Sequence, residues 1–329
     1  MAEGRGQTVS DIGEDALLER IARRVGRPHG EEVWGGDDAA LVLLPGPRAL
    51  VTTDLIVENL DFLVEYCTGW DVGWKAIAVN ASDIAAMCGR PSHAVTTVTL
   101  PGHVEIAFFD DLLEGTLAAA DRWGIALVGG DISGGREISV GVSMVGAPIL
   151  DRPVLRSGAR AGEAICVTGT LGAARAGLEV LRRGDRSAGT EPLVARQLRP
   201  SARVDEAASL APLGPSAMID LSDGLAVDLA RLLAASGVGA DVDAGSLPVD
   251  PDVALVAGLD PVESAILGGE DYELLFTIGA AQVEEASAAV GRLGTRLTRI
   301  GTVTTGASTL AGKPLEEWKE RGWQHLRDR

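Results

Sequence analysis

The sequence has few aromatic residues and few bases. Aromatics make up 4% of its 329 residues, and 47 acids outnumber 29 bases, which gives a formal net charge of −18. Such an acidic chain lacks the basic surface that nucleic acids and anionic membranes require. We therefore expect neither as a partner, whereas phosphate substrates remain compatible with this charge if metal ions bridge them.

Cysteine, histidine and long apolar runs are also scarce. Cys67, Cys88 and Cys166 show no CxxC spacing, and the four histidines are scattered without an HExxH pattern. Cys88 and Cys166 lie in apolar stretches, which is typical of core residues in a protein kept reduced. The sequence shows neither an apolar segment near its first residues nor a run of about 20 apolar residues. We therefore expect a cytoplasmic protein with no signal peptide and no membrane span.

The common nucleotide-binding motifs are absent as well. There is no GxxxxGK[ST] loop and no HRD/DFG pair, so an ordinary ATPase or protein kinase is disfavoured. The segment GTLGAARAG at 169–177 resembles a dinucleotide fingerprint only loosely, because no suitable acid follows about 20 residues later. We interpret this segment as the start of a helix that packs on a strand, which also disfavours a dehydrogenase.

Helical and strand patterns alternate in both halves of the chain. Its length suits two domains, and a stretch rich in Arg, Pro and Gly at Pro148–Gly162 marks a boundary. We predict domains at 1–148 and 149–329, both α/β or α+β. The main predicted helices are 14–25, 74–87, 107–123, 202–210 and 282–293, and a turn leads into a helix over 169–183 and again over 221–236, where Ser222 or Asp223 is the expected cap. The main predicted strands are 39–44, 49–53, 92–100, 125–128, 137–145, 164–168, 217–220 and 299–305, and a turn and a strand are predicted over 268–277. Residues 183–200 are predicted to be polar surface.

The helix predicted over Trp74–Met87 carries an acid among apolar residues. Between its ends, its only polar residues are Asn80, Ser82 and Asp83. A helix that is apolar all round is normally buried, and a buried ionised Asp is costly unless it is paired or holds a metal. The other interpretation is a polar contact to a neighbouring backbone. Asn80 shares a face with Asp83 and is a candidate to orient it, while Gly89 and Pro91 are expected to end the helix.

Six further acids lie beside glycines, at strand ends or at helix starts. Each alone is compatible with a turn or a cap, but together they suggest one site, because strand ends and bare glycines are where α/β sites are built. Clustered carboxylates repel one another and stay ionised together only among cations. Oxygen ligands without His or Cys favour Mg²⁺ bridging to phosphates, which makes nucleotide phosphate chemistry the leading hypothesis. The six are Asp38, Asp54, Asp131, Asp220, Asp223 and Glu270.

Seven ordered motifs resemble those of the thiamine-monophosphate kinase family, a branch of the superfamily of aminoimidazole-ribonucleotide synthetase and selenophosphate synthetase. They are GDDAAL (36–41), TTDLIVE (52–58), KAIAVNASDIAAM (75–87), GGD (129–131), RSGARAGEAICVTGTLG (156–172), AMIDLSDGL (217–225) and GGEDYELLF (268–276). A tail at Gly322–His325 extends the match. The resemblance implies a two-lobed fold in which a mixed-sheet N-terminal lobe forms a homodimer, and an ATP site partly shared between subunits.

The resemblance also implies the reaction and the residue roles. ATP would phosphorylate thiamine monophosphate to thiamine diphosphate by direct in-line transfer, assisted by several Mg²⁺ ions. Asp38, Asp54, Asp83, Asp131 and Asp220 would be catalytic metal ligands, joined by Thr52, Thr53 and Asp223. Gly130, Asp131, Arg156 and Ser222 would hold the ATP phosphates, and Asp61, Glu270 and Trp323 would contact the thiamine substrate.

The sequence departs from the family pattern at two places. Asp61-Phe62 stands where the family usually has His-Phe, and a carboxylate cannot donate a hydrogen bond to phosphate at neutral pH. After GGD, where the family commonly has Thr, this chain has Ile132 followed by Ser133 and Gly134. Two alternatives therefore stay open: another ATP- and Mg²⁺-dependent enzyme of the superfamily, and a non-catalytic nucleotide-binding homologue.

Overall fold

The protein is described by a computed structural model over residues 7–28, 30, 32, 40–184 and 188–323. Asp38, one of the predicted metal ligands, lies outside these residues. The chain divides into two compact units. The first comprises Met1–Ile84 and Pro91–Ala147, and the second comprises Ala85–Arg90 and Pro148–Arg329. In the part of the chain that the structure describes, no helix is long and apolar enough to cross a membrane.

Among its described residues, the first unit has a four-stranded sheet and three helices. Its elements in chain order are α1 (Val9–Arg24), β1 (Leu50–Val57), α2 (Gly69–Ala86), β2 (Gly89–Leu100), α3 (Ile106–Trp123), β3 (Ala126–Gly134) and β4 (Ser139–Pro148). The strand order is β1-β4-β2-β3. Because β1 pairs with β4 antiparallel and β2 pairs with β3 parallel, the sheet is mixed.

Helices α2 and α3 approach each other at their backbones, and glycine permits this. A Cβ on Gly73 would lie 2.1 Å from the carbonyl oxygen of Leu112, and one on Gly115 would lie 2.0 Å from that of Trp70. Beside this contact, Trp74 packs on Trp70 at 5.1 Å between ring centroids. The close approach explains why α2 is buried on nearly every side. Its residues Ile77, Ala81 and Ala85 are fully enclosed.

The second unit has a seven-stranded sheet. Its strands are β5 (Ala164–Thr168), β6 (Ala217–Asp220), β7 (Gly239–Val242), β8 (Leu274–Ile278), β9 (Leu297–Thr304), β10 (Thr309–Leu310) and β11 (Lys313–Pro314), in the order β11-β10-β7-β9-β5-β8-β6. Its helices are α4 (Ala173–Arg183), α5 (Glu191–Leu198), α6 (Val204–Leu210), α7 (Leu225–Ser236), α8 (Pro261–Leu267), α9 (Val283–Gly291) and α10 (Leu315–Lys319). The apolar faces of β5, β6 and α7 form the largest core of this unit.

Most predicted elements are present, and four local predictions were wrong. No strand forms over 42–44. Asp54 and Asp131 lie within β1 and β3 and do not follow them. In the turn that follows α2, the left-handed residue is Cys88, at φ 51°, and not the predicted Gly89, because Gly89 already begins β2. Residues 191–198, predicted to be polar surface, form helix α5.

Candidate active site

Strand β1 presents Thr52 and Asp54 towards helix α2. The Thr52 hydroxyl donates a hydrogen bond of 2.5 Å to the Asp83 carboxylate, so the acid in the apolar helix has a side-chain partner. Asp83 is partly buried, not fully enclosed. Asn80 is fully buried, and its amide oxygen accepts the Asp54 backbone N–H at 3.1 Å while its amide nitrogen donates to Ala76. Asn80 therefore positions Asp54, whereas the sequence suggested that it orients Asp83.

The register of the sheet separates Asp54 from Asp131. Strands β1 and β3 are the two edges of the sheet, about 14 Å apart at the usual strand spacing. One row of residues crosses the sheet from β3 to β1. Asp131 of β3 pairs with Thr97 of β2, and a Cβ on Gly141 of β4 would contact Thr97. Gly141 in turn pairs with Leu55 of β1. Side chains in one such row point to the same face. Asp131 therefore shares a face with Leu55, while Asp54 points to the opposite face, towards α2.

Gly130, a predicted phosphate contact, and Thr53, a predicted metal ligand, each make a close contact within the sheet. A Cβ on Gly130 would lie 2.3 Å from the Thr96 carbonyl oxygen, so only glycine fits there. The Thr53 hydroxyl donates to the carbonyl of Val142 at 3.0 Å. Within the described ranges, no three His, Cys, Asp or Glu side chains lie close enough together to hold a metal ion by themselves.

Asp61 closes the turn that follows β1. Its carboxylate accepts the Val57 N–H at 2.8 Å, and its own N–H donates to the Val57 carbonyl at 2.9 Å. The ammonium of Lys75, a buried residue, donates to the Asp61 carbonyl at 3.2 Å. These contacts give Asp61 a role in the backbone turn, and a substrate contact by Asp61 stays a prediction.

In the second unit, the segments 221–224 and 268–272 are joined by backbone hydrogen bonds. The Glu270 N–H donates to Ser222 at 2.8 Å, and the Tyr272 N–H donates to Leu221 at 2.9 Å. A Cβ on Gly269 would lie 2.6 Å from the Ser222 carbonyl oxygen, so this approach requires glycine. The contacts bring the predicted residues Ser222 and Glu270 together, directly after the buried Asp220 at the end of β6.

The 268–272 segment has an unusual backbone. Glu270 and Tyr272 have φ values of 66° and 50°, in the region that favours glycine. The Glu270 carboxylate accepts a hydrogen bond from the Gln197 side chain of α5. Between them, the Asp271 carboxylate accepts the backbone N–H groups of Gly172 at 2.8 Å and Ala174 at 3.3 Å, at the start of α4. Burial raises the pKa of Asp271 to about 7, although these two hydrogen bonds oppose the shift.

Asp223 is held by a group that sequence reasoning missed. Arg231 of α7 forms ion pairs with Asp223 at 2.6 Å and with Asp228 at 2.7 Å. Asp228, which is fully buried, also accepts the Asp223 N–H at 2.9 Å. Burial and the nearby charge of Asp223 raise the pKa of Asp228 to about 7, against the effect of Arg231. Helix α7 begins after Gly224, so the predicted caps Ser222 and Asp223 lie in the preceding turn.

A second buried ionic group lies beneath the same segment. Arg203 donates to both oxygens of Glu273, at 2.6 and 2.5 Å, and to Glu206 at 3.0 Å. Glu273 also accepts the Thr168 hydroxyl at 2.7 Å. Burial acts to lower the pKa of Arg203, but the negative charges of Glu273 and Glu206 have the larger combined effect and raise it. A Cβ on Gly169 would overlap Glu273, so the turn after β5 and this ionic group depend on each other.

Arg156 and Trp323 lie on peripheral segments of the second unit. Arg156 is exposed, and its carbonyl accepts the hydroxyl of Ser236. Trp323 is partly buried and directly follows Gly322, where a Cβ would lie 2.5 Å from a methyl of Val227 in α7. The backbone next to Trp323 is therefore packed against α7.

Comparison with known proteins decides the family. The model of the AIR synthase related protein N-terminal domain matches residues 36–147, and that of the C-terminal domain matches residues 160–311. A thiamine-monophosphate kinase of Aquifex aeolicus is 34% identical over 97% of this chain and 99% of its own length. The chain belongs to the thiamine-monophosphate kinase family.

Solved structures of this family match the fold. The thiamine-monophosphate kinase of Stenotrophomonas maltophilia gives a TM-score of 0.81 at 34% identity, over 91% of this chain and 96% of that one. The structure of AaThiL complexed with AMPPCP and TMP gives 0.77 at 33% identity, over 96% and 98%. These matches confirm the predicted AIR-synthase-like fold and the resemblance to thiamine-monophosphate kinases.

In this kinase-family member, the sequence pattern around Asp228 and Arg231 could have identified these two missed residues. Asp228 and Arg231 stand three residues apart in LAVDLARLL, an otherwise apolar helix. This is the pattern that singled out Asp83, and it could have been applied again. No comparable sequence pattern pointed to Gln197, because its segment was predicted to be polar surface and not a helix.

Proposed function

We propose that this chain transfers the γ-phosphoryl group of ATP to thiamine monophosphate and forms thiamine diphosphate. The observation that carries the proposal is the match to thiamine-monophosphate kinases over 97% of the chain. AaThiL, solved with AMPPCP, an ATP analogue, and with TMP, supports both substrates. The acid motifs singled out in the sequence are those expected of such a kinase.

The residues of this chain act by positioning and by charge. The acceptor is a phosphate oxygen of low pKa, so no strong general base is required. In-line transfer then depends on alignment and on neutralising the phosphates. Gly130, where no side chain fits, and the exposed guanidinium of Arg156 are the proposed phosphate contacts. Ser222 and Glu270, joined by their backbones, would serve the phosphate and thiamine ends, respectively.

We further propose that Mg²⁺ binds the predicted oxygen ligands, where it would neutralise phosphate charge. The donor set fits this ion, because it consists of carboxylates and threonine oxygens. Several such ions would be held by Asp38, Asp54, Asp83, Asp131 and Asp220, with oxygens of Thr52 and Thr53 added, and Asp223 would be a ligand of a further ion. Mg²⁺ usually needs only one or two carboxylates besides water and phosphate oxygens, so a group of three acids in one chain is not required.

A homodimer with shared sites would unite acids that one chain keeps apart. Asp54 and Asp131 lie on opposite edges and opposite faces of one sheet. A two-fold axis could place the Asp54 edge of one protomer beside the Asp131 edge of its partner. The β1 edge that carries Asp54 also exposes Val51 and Leu55, which are 72% and 59% accessible, and exposed apolar side chains of this kind are typical of an interface. We also propose a cytoplasmic location, which suits three free thiols.

The reaction is tested by ADP release from ATP and Mg²⁺, with thiamine monophosphate as acceptor and thiamine as the control. We expect turnover with the first acceptor only. Asp83→Asn should abolish transfer while the circular dichroism spectrum and melting temperature stay near those of the wild type. Near-normal turnover of this variant at saturating Mg²⁺ would refute the metal-ligand account.

The shared site is tested by mixing two inactive variants. Asp54→Asn and Asp131→Asn should each be inactive alone. If each site takes one acid from each protomer, the mixed dimers restore about a quarter of the wild-type activity, because half of the dimers then hold one intact site. Each variant mixed with wild type serves as a control for subunit exchange. No recovery despite proven exchange would place both acids in one protomer.

A further inference from the structure

Helix α5 reaches the segment that carries Glu270 with two consecutive side chains. The Arg196 guanidinium lies 3.7 Å from the Glu273 carboxylate, so Arg196 joins the buried ionic group around Glu273. The Gln197 amide nitrogen donates a hydrogen bond to the Glu270 carboxylate. Gln197 therefore contacts the residue that is proposed to bind the thiamine substrate.

Gln197 is held firmly, because α5 packs closely on α4. A Cβ on Gly177 of α4 would lie 2.1 Å from the Leu193 carbonyl oxygen, so the two helix backbones come as near as glycine allows. Leu193 precedes Gln197 by one turn on the same face, and both side chains are buried. A buried amide on a packed helix has little freedom to turn. Its hydrogen bond therefore fixes the carboxylate that accepts it.

The backbone of Glu270 is fixed separately from its side chain. Its φ of 66° lies in the left-handed region, and its N–H donates to the Ser222 carbonyl at 2.8 Å. Strained residues persist where surrounding contacts determine their conformation, and they concentrate at ligand sites. The turn after β6 thus sets where the Glu270 backbone lies, and Gln197 of α5 sets where its carboxylate points.

The chemistry of this pair suits a cationic ligand. An amide donor holds a carboxylate without cancelling its negative charge. A lysine or arginine in place of Gln197 would also hold the Glu270 carboxylate, but it would neutralise that charge. The thiamine group has a positively charged thiazolium ring and an aminopyrimidine with N–H donors. Such a ligand is attracted by a carboxylate that is both fixed in place and charged.

We propose that Gln197 is a positioning residue, which holds the Glu270 carboxylate in the orientation that binds thiamine monophosphate. Gln197 acts through Glu270 and does not itself touch the substrate. The proposal rests on the kinase function proposed for this chain. It predicts an effect on the KM for thiamine monophosphate, while kcat and the KM for ATP stay unchanged.

The test is a double-mutant cycle built on Gln197→Met, which keeps the length of the side chain and removes the donor. Losing a hydrogen bond to a charged group should raise the KM for thiamine monophosphate about tenfold. In the background of Glu270→Gly, which suits the left-handed backbone, the same change should have no further effect on this KM, because its partner is gone. Ala195→Met, at an exposed position of the same helix, is the matched control and should behave as the wild type.

Two results would overturn the proposal. If Gln197→Met raises the KM equally in both backgrounds, the effect does not pass through Glu270. If this KM is unchanged, or if kcat and the KM for ATP change with it, Gln197 does not position the carboxylate. Gln197→Glu replaces the donor by a like charge of similar size and should raise the KM further. It gives the answer if Gln197→Met does not fold, and a wild-type KM in Gln197→Glu would also overturn the proposal.

Calorimetry with thiamine monophosphate distinguishes failure of this proposal from failure of the kinase function. If the wild type binds thiamine monophosphate without phosphorylating it, the kinase function fails and the same cycle is decided on dissociation constants. If the wild type neither binds nor phosphorylates thiamine monophosphate, both proposals are wrong. Turnover by the wild type together with equal losses in both backgrounds would refute the role of Gln197 alone.

Discussion

Replacing Arg203 with Met should destabilise the second unit strongly. The guanidinium donates to both oxygens of Glu273 and to Glu206, and the Arg203, Glu273 and Glu206 side chains are 11%, 1% and 10% exposed. Methionine would leave two buried carboxylates without this cation, while Arg196 stays 3.7 Å from Glu273. Removing one partner of a buried pair costs about 3–5 kcal/mol. Opening of this unit should therefore become about 150- to 4,000-fold more frequent.

Hydrogen exchange read by mass spectrometry measures this effect unit by unit. Peptides from β5 and β8 report the second unit, and those from β2 serve as an internal control in the first. Arg203→Lys keeps the charge but not the two-pronged contact and should lose less. Arg23→Met removes an exposed ion pair and should change nothing. A loss below about 1 kcal/mol in Arg203→Met would refute the reasoning.

Three further predictions concern other contacts. Burial raises the pKa of folded Asp271 to about 7 from about 3.9 in the unfolded chain, so wild-type stability should fall as the pH rises from 4 to 7. In denaturant titrations Asp271→Asn should reduce that slope and leave the part that is due to Asp228, whose pKa is also raised to about 7. Gly322→Ala should raise the KM for thiamine monophosphate but not for ATP, and adding Val227→Ala, which removes the clashing methyl, should restore it. Asn80→Ala removes the hydrogen bond to Asp54 and should raise the Mg²⁺ concentration needed for half-maximal turnover, while circular dichroism shows that the variant is folded.

The sequence was sufficient for the elements whose signal is local. Apolar patterns predicted α2, α3, β5 and β6 to within a few residues, because burial of one segment is visible in that segment. The same patterns could not place Asp54 inside β1, since strand length depends on pairing with β4. They also missed α5, whose buried residues Leu193 and Gln197 are too few to form a recognisable stripe.

The sequence predicted which residue types the candidate site contains, but it predicted the contacts between them less well. Asn80 was assigned to Asp83 because both lie on one helix face, but the side chain contacts the backbone of Asp54 on another element. Helix spacing shows which residues can meet along one helix and does not show which strand lies opposite. The ion pairs of Arg231 were likewise absent from the prediction, since they depend on the turn that precedes α7.

The left-handed backbone at Glu270 has a consequence for protein engineering. A non-glycine residue in this region costs about 1–3 kcal/mol, so Glu270→Gly would relieve the strain and is expected to raise the melting temperature. The same change deletes the carboxylate proposed to contact the substrate. A search for thermostable variants would therefore favour glycine here, whereas a selection for turnover would restore glutamate. At this position stability and activity are opposing selection pressures, and the residue present reveals which of them has prevailed.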